Sequence, residues 1–105
     1  MGREVTLNEL EAAIAAGAHV VDVRESFEFE AGHVPNAHHI PLNEIPEALN
    51  LIPKDQQVWL VCKSGGRSMR ACDYLEAQGF DVVSVAGGTD GWVASGRAVS
   101  TEPSK

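Results

Sequence analysis

The sequence predicts an α/β domain in which helices cover both faces of a parallel sheet. Three short β-branched runs have the composition of strands, and stretches with helical spacing or capping residues lie between them. Strands that alternate with helices in this way favour parallel pairing through helical crossovers. The 105 residues, of which 44% are apolar, suit one domain with its own core. We expect that domain over residues 1–100, followed by a C-terminal tail over 101–105.

The first helix is predicted by signals at both of its ends. Thr6, with Glu9 three residues later, has the pattern of a capping box, in which each side chain bonds a backbone N–H at the other residue. Leu10 and Ile14 then recur at helical spacing, and Gly17 suits the left-handed residue that ends many helices. The helix should therefore lie between Thr6 and Gly17.

The three strands are predicted from runs of β-branched and apolar residues. They are HVVDV at 19–23, QVWLV at 57–61 and DVVSV at 81–85. The second run is apolar at nearly every position, which is typical of a central strand covered on both faces. Ligands of such sheets bind beyond the carboxyl ends of the strands, so the residues that follow each run are the first candidates for a functional site.

Two short helices are predicted on either side of an extended, proline-containing connection. Ser26 is expected to cap a helix over 27–31, which Gly32 would end. Asn43 is expected to cap another helix through Leu49, because proline is tolerated in a first helical turn.

The longest helix is predicted over 68–78, where Ala71, Cys72 and Leu75 share one apolar stripe. Cys72 is therefore interpreted as a packed core residue. A last short helix is expected after the turn GGTDGW. A disulfide from Cys72 to Cys62 is not expected, because a mostly helical separation of ten residues exceeds the reach of a disulfide.

Composition excludes several classes of function. The net charge of −7 makes nucleic acid and anionic membranes poor partners, because both bind clustered positive charge. We find no apolar run long enough for a membrane span and no secretory signal. The two cysteines are too few for a disulfide scaffold, so we expect a cytoplasmic protein with reduced thiols.

The segment VWLVCKSGGRSMRAC places Cys62 where a strand ends and a helix begins. Gly65 and Gly66 allow the loop to curl tightly, so that successive N–H groups converge on one point. Together with Lys63 and Arg67, such surroundings lower the pKa of a cysteine and favour the nucleophilic thiolate, and we expect a site of this kind to be open to solvent. A cysteine at a strand end can equally be a small buried hydrophobe, and the pattern alone leaves both interpretations open.

Four segments, taken in order, resemble the single-domain rhodaneses, a family of sulfurtransferases. The segments are VVDVRESFEFEAGHVPNAHHIPL, VWLVCKSGGRSMRA, GFDVVSVAGGTDGW and SGRAV. The resemblance covers nearly the whole chain. It implies a three-layer α/β domain with a central, parallel, five-stranded sheet flanked by helices.

The resemblance also implies a reaction. Cys62 would take sulfane sulfur from a donor such as thiosulfate and hold it as a persulfide. It would then pass the sulfur to a thiophilic acceptor, either cyanide or a protein thiol such as that of thioredoxin, without a cofactor. The loop that would hold the sulfur consists of Lys63, Ser64, Gly65, Gly66 and Arg67, with Ser68 opening the helix.

Two alternatives to a freestanding sulfurtransferase remain. The first is a sulfur-relay or binding module that acts with one specific protein partner, because a small domain leaves its loop open to a partner surface. The second is a phosphatase or arsenate reductase, but those relatives place arginine six positions after the cysteine. Here Arg67 lies five positions after Cys62, and the shorter loop suits a single sulfur atom better than a tetrahedral oxyanion.

Other charged residues are expected near the predicted site. Asp22 and Arg24 lie at the end of the first predicted strand, and the resemblance suggests that they support the site structurally by ion pairing. Glu25 and Glu28 are expected to be helix-capping or solvated charges near the pocket mouth, although a carboxylate that faced the pocket would disfavour an anionic donor. Lys63 could steer such a donor or simply point into solvent.

Three histidines raise the question of a metal site. His33, His38 and His39 lack the spacing of a chelating helix, and no carboxylate or cysteine completes a ligand set. We therefore predict no metal, and we interpret His33 as a hydrogen-bonded structural residue.

Overall fold

The computed structural model describes residues 3–103, and within them the strands form one parallel sheet. The strands are β1 (Glu4–Val5), β2 (His19–Asp22), β3 (His38–His39), β4 (Val58–Val61) and β5 (Val82–Val85). Their order across the sheet is β1-β5-β4-β2-β3, and every neighbouring pair is parallel. The predicted five-stranded parallel sheet is therefore confirmed.

Helices lie on both faces of this sheet. They are α1 (Leu7–Ala15), α2 (Ser26–Ala31), α3 (Gly66–Ala77) and α4 (Gly88–Ala94), with 3₁₀ helices at Leu42–Glu47 and Leu49–Leu51. One hydrophobic cluster joins Leu75 of α3 and Ile45 to Leu60 of β4. A second cluster, on the other face, joins Leu10 of α1 and Trp92 of α4 to the sheet. Because β4 contributes to both clusters, it is the central, doubly covered strand that its apolar run predicts.

Two predicted helix starts between β2 and β4 are wrong. Helix α2 is capped by Glu25 rather than Ser26, because the Glu25 N–H donates to the Glu28 carboxylate at 2.9 Å and so fixes the turn one residue earlier. Asn43 caps no α-helix, since residues 42–47 form a 3₁₀ helix that begins after Pro41. The proline at position 46 removes an N–H from the backbone ladder, which favours the short 3₁₀ form.

Helix α3 begins at Gly66, two residues earlier than predicted. Gly65 precedes it with a φ of 124°, a backbone conformation that glycine adopts without steric cost. Ser68 therefore does not open the helix but lies within its first turn, where its side chain is fully buried. This early start brings Ser68 beneath the loop that follows β4.

The ends of the chain are only partly described. An antiparallel bridge joins Ser100 to His33, with two backbone hydrogen bonds of 2.8 Å. Residues 104 and 105 of the predicted tail, like residues 1 and 2, lie outside the described residues. The boundaries of the domain and its tail therefore stay predictions.

Between residues 3 and 103, none of the helices has the length and apolar character that crossing a membrane requires.

Candidate functional site

Cys62 is the first residue after β4, at the edge of the sheet where the strands have their carboxyl ends. Only 1% of its surface is exposed, so the expected open access to solvent is wrong. The thiol points into the curl of residues 62–68 rather than out of it. The local sequence predicted the curl, but the depth of the thiol depends on how the neighbouring helices pack over the loop.

The loop supplies hydrogen-bond donors to the buried sulfur. The Gly65 N–H donates to Cys62 Sγ at 3.0 Å, and the Ser68 hydroxyl oxygen lies 3.3 Å from the same atom. Burial alone would raise the pKa of Cys62, but the loop donors outweigh it and the net shift is downward from the ordinary thiol value. Those donors are the Ser68 hydroxyl and the backbone N–H groups of Ser68, Gly65 and Ser64. The predicted anion cradle is therefore present, although it is buried.

The N-terminus of α4 holds the loop in this conformation from outside. The Thr89 N–H donates to the Cys62 carbonyl at 2.8 Å, and the Asp90 N–H donates to the Lys63 carbonyl at 2.9 Å. Because the Lys63 carbonyl is turned toward α4, the Ser64 N–H of the same peptide unit turns toward the sulfur. The approach is so close that a Cβ at Gly88 would lie 2.5 Å from the Cys62 carbonyl oxygen. The sequence predicted a short helix after GGTDGW, but α4 already begins at Gly88 within that segment, and the prediction gave it no part in the site.

A second buried hydroxyl extends the donor set behind Ser68. Ser84 Oγ on β5 lies 2.7 Å from Ser68 Oγ, and both side chains are fully buried. Ser68 also donates to the Gly65 carbonyl at 3.1 Å, but that carbonyl already accepts the Met69 N–H at 3.1 Å. Ser68 can therefore turn its proton to the thiolate and leave no carbonyl unsatisfied, while Ser84 donates to Ser68 from behind.

Arg67 does not contact the sulfur but forms an ion pair with Glu28 on α2. Its Nη1 and Nη2 donate to the two carboxylate oxygens at 2.7 and 2.8 Å. The hydrogen bond to Arg67 is the main cause that lowers the pKa of Glu28 to about 2. The same bond raises the pKa of Arg67, and negative charge on Cys62 adds to that effect. The guanidinium therefore lies within electrostatic range of the thiolate, but a carboxylate already neutralises it.

The other charged candidates are also paired. Lys63 Nζ lies 2.7 Å from the Asp90 carboxylate, and both side chains are more than half exposed, so this surface pair contributes little to stability. Asp22 and Arg24 form a buried pair at 2.8 Å, and Arg24 Nη2 also donates to the Gly32 carbonyl at 2.9 Å. These contacts tie the end of β2 to the end of α2, and the role of Asp22 and Arg24 in supporting the site stays a prediction.

The histidines make local contacts. His33 Nδ1 lies 2.7 Å from the Phe29 carbonyl, and His39 Nε2 lies 2.7 Å from the Arg24 carbonyl. His38 stacks on His19 with ring centroids 4.1 Å apart. In residues 3–103, no three His, Cys, Asp or Glu side chains come together as a metal site would require.

Cys72 lies in the core, as its place on the α3 stripe predicts. It is fully buried within the hydrophobic cluster that contains Leu75, and its thiol is free. Burial raises the pKa of Cys72 to about 12.

Comparison with known proteins identifies what this arrangement resembles. The family model for the rhodanese-like domain matches residues 6–95. A curated relative in Bacillus subtilis (strain 168), named "Putative sulfurtransferase YtwF", is 39% identical over 92 residues, which cover 86% of this chain and 89% of the relative. Another relative in that organism, named "Putative sulfur carrier protein YrkF", is 36% identical over 74 residues, covering 70% of this chain but only 40% of the relative.

A solved structure has nearly the same fold over nearly the same length. It is a rhodanese-related protein from Thermoplasma volcanium, with a TM-score of 0.89 and 33% sequence identity. The match covers 95% of this chain and 99% of that one.

Proposed function

This chain belongs to the rhodanese-like domain family, and we propose that it transfers sulfane sulfur through a persulfide on Cys62. The family prediction made from the four sequence segments is confirmed by the family match over residues 6–95. Relatives named for sulfur transfer or sulfur carriage support the general reaction. The observation that carries the proposal is the Gly65 N–H donating to Cys62 Sγ at 3.0 Å, together with the lowered pKa of that thiol.

The proposed reaction has two half-reactions. The Cys62 thiolate attacks the outer sulfur of a donor such as thiosulfate, the new S–S bond forms, and sulfite leaves with the electron pair of the old one. The outer sulfur of the resulting persulfide is then attacked by cyanide, which gives thiocyanate, or by a protein thiolate such as that of thioredoxin, which becomes the persulfide. Cys62 returns as the thiolate in either case. No step needs a cofactor.

The loop would stabilise anionic sulfur in both half-reactions. Backbone N–H groups of Ser64 and Gly65 and the hydroxyl of Ser68 favour the thiolate, and donors fixed in a water-poor site stabilise charge without reorganising. Gly66 follows the positive-φ residue Gly65 as the first residue of α3. We assign Lys63 and Arg67 to the rim of the loop, where each is paired with a carboxylate.

Persulfide loading tests the proposal directly. Incubation with thiosulfate followed by intact-protein mass measurement should show one added sulfur atom in the wild type and in Cys72→Ser, and none in Cys62→Ser. Since Cys72 lies in the core, Cys72→Ser is the matched thiol control. The proposal is wrong if the wild type gains no sulfur from thiosulfate, from an organic thiosulfonate or from a persulfidated protein.

A sulfur relay with one protein partner is the second candidate. The relative named for sulfur carriage supports this candidate. Slow transfer from thiosulfate to cyanide, combined with fast transfer to one protein thiol, would support the relay. Fast turnover with both small molecules would support the freestanding enzyme. Either activity fits the cytoplasmic, reducing location that we propose.

A phosphatase or arsenate reductase is the disfavoured third candidate. Hydrolysis of an aryl phosphate that depends on Cys62 would support it, and we expect none.

A further inference from the structure

We propose that Glu28 sets the charge preference of the sulfur donor by neutralising Arg67, so that the site disfavours a dianion such as thiosulfate relative to a monoanionic donor. This inference rests on the proposed sulfur transfer through Cys62.

Strong contacts hold the ion pair between Glu28 and Arg67 together. Both carboxylate oxygens of Glu28 accept from Arg67, at 2.7 and 2.8 Å, and bidentate pairs of this kind are among the stronger charge-assisted hydrogen bonds. Only 15% of the Glu28 side chain and 31% of the Arg67 side chain are exposed, so solvent screens this pair less than a surface pair. Glu28 is fixed further by accepting the Glu25 N–H at 2.9 Å.

The topology places this pair beside the reactive sulfur. Helix α2 begins after β2 and α3 begins after β4, and these two strands are neighbours whose carboxyl ends share one edge of the sheet. Glu28 and Arg67 lie in the first turns of those helices, so they meet at the edge where Cys62 lies. Arg67 lies in the same curl of residues 62–68 as Cys62, and negative charge on Cys62 contributes to the raised pKa of Arg67.

Two neighbouring cations are also paired with carboxylates. Lys63 is paired with Asp90 at 2.7 Å, and Arg24 is buried against Asp22. Arg70, one turn further along α3, lines a separate groove with Leu42, Ile45 and Tyr74. A donor that approaches the thiolate therefore meets Arg67, Lys63 and Arg24 each paired with a carboxylate, so each extra negative charge on the donor gains little attraction from these three cations.

Two probes isolate the effect of donor charge. Thiosulfate carries two negative charges and releases sulfite, whereas benzenethiosulfonate carries one and releases benzenesulfinate. In both reactions the Cys62 thiolate attacks the sulfane sulfur, the S–S bond of the donor breaks, and the leaving group departs with that electron pair. The two reactions give the same persulfide, so the ratio of their kcat/KM values reports the preference for donor charge.

The test is the substitution Glu28→Gln, which removes the charge but keeps an oxygen that can accept from Arg67. We expect the ratio of kcat/KM for thiosulfate to that for benzenethiosulfonate to rise about three- to tenfold, and the rise to shrink at high salt. Arg67→Gln, which leaves Glu28 unpaired, should lower the same ratio by about threefold or more. Glu30→Gln removes one charge from the same helix without touching Arg67, and it should leave the ratio within about a factor of two.

The outcomes separate the inference from the proposed function. If both donors load sulfur onto Cys62 but the ratio is unchanged or falls in Glu28→Gln, the inference is wrong and the sulfurtransferase proposal stands. An Arg67→Gln ratio that rises also contradicts the inference, and this variant decides the matter if Glu28→Gln does not fold. If neither donor loads the wild type, the inference is wrong. Loading from a persulfidated protein then decides whether the proposed function stands.

Discussion

Cys62 and Cys72 are both buried, yet the protein moves their pKa values in opposite directions. Cys62 is 1% exposed and Cys72 is fully buried, so solvent exposure hardly distinguishes them. The pKa of Cys62 is lowered, whereas that of Cys72 is raised to about 12. Burial raises the pKa of both thiols, so the opposite outcomes come from the groups that face each sulfur.

The two pKa values differ because each cysteine lies in a different backbone conformation with different neighbours. Cys62 follows a strand and sits in a curl whose N–H groups point inward, with the Ser68 hydroxyl beside it. Cys72 lies on the inner stripe of α3, where the helix already uses the backbone N–H groups and where Asp73 and Glu76 add negative charge. The direction of the pKa shift of these two buried cysteines therefore depends on the groups around the sulfur and not on its exposure.

The largest expected effect is in thiol reactivity. At neutral pH, iodoacetamide should alkylate Cys62 at least about a hundredfold faster than Cys72, because the thiolate fraction falls tenfold for each unit of pKa. Since the pKa of Cys62 is lowered, its alkylation rate should rise with pH and level off below the pH at which an ordinary thiol does so. Mass mapping of Cys62→Ser and Cys72→Ser separates the two sites. Faster modification of Cys72, or a midpoint for Cys62 at or above that of an ordinary thiol, would contradict this comparison.

Substitution of Gly88 should disrupt the loop around Cys62 from the adjoining helix α4, without changing any residue of the loop itself. A Cβ there would meet the Cys62 and Lys63 carbonyl oxygens at 2.5 and 2.7 Å, so Gly88→Ala should lower the free energy of unfolding by about 2–5 kcal/mol. The displaced loop should also move the alkylation midpoint of Cys62 upward. Gly91→Ala is the control, because its methyl group would meet only the flexible Leu7 side chain. Equal denaturation midpoints for the two variants would refute the tight contact with α4.

Ser68→Ala tests the strongest side-chain donor. Loss of one hydrogen bond to an anionic sulfur should raise the midpoint of the pH profile for Cys62 alkylation by about one to two pH units. The sign follows from the direction of the shift: the hydroxyl favours the thiolate, so its removal favours the thiol. A midpoint that does not move would assign the lowered pKa to the backbone N–H groups alone.

The smallest expected effect is that of Ser84→Ala, which acts on Cys62 through Ser68. The midpoint should rise by about 0.3 pH unit, since a second hydroxyl only polarises the first. In a Ser68→Ala background the same substitution should shift nothing. Val83→Ala, on the same strand, should lower stability without moving the midpoint. Equal shifts from Ser84→Ala in both backgrounds would rule out a positioning role for Ser84.

The sequence predicted what is local and failed where distant segments meet. The three longer strands have readable β-branched runs, but β1 and β3 have two residues each, too few for any periodicity. The cradle was predictable because residues 62–68 are consecutive. Glu28 and Arg67 are 39 residues apart, and no pattern joins them.

The buried role of Ser84 could have been predicted from its position in the sequence. It is the one serine in the run DVVSV, whose other strand positions are all apolar and buried. A hydroxyl in such a strand needs a buried partner, because an unsatisfied polar group in a core is costly. The burial of Cys62 could not be predicted in the same way, since it depends on how elements distant in sequence close over the loop.

The two hydrogen bonds from α4 to the cysteine loop have a consequence for how the protein is made. Helix α4 is synthesised after β4, α3 and β5, so the ribosome adds Cys62 before it makes the helix that orients the cysteine loop. A nascent chain should therefore carry Cys62 as an ordinary, weakly ionised thiol, and nucleophilicity should emerge only once the final helix docks. Chemical reactivity at this position would then act as an internal marker of completed folding.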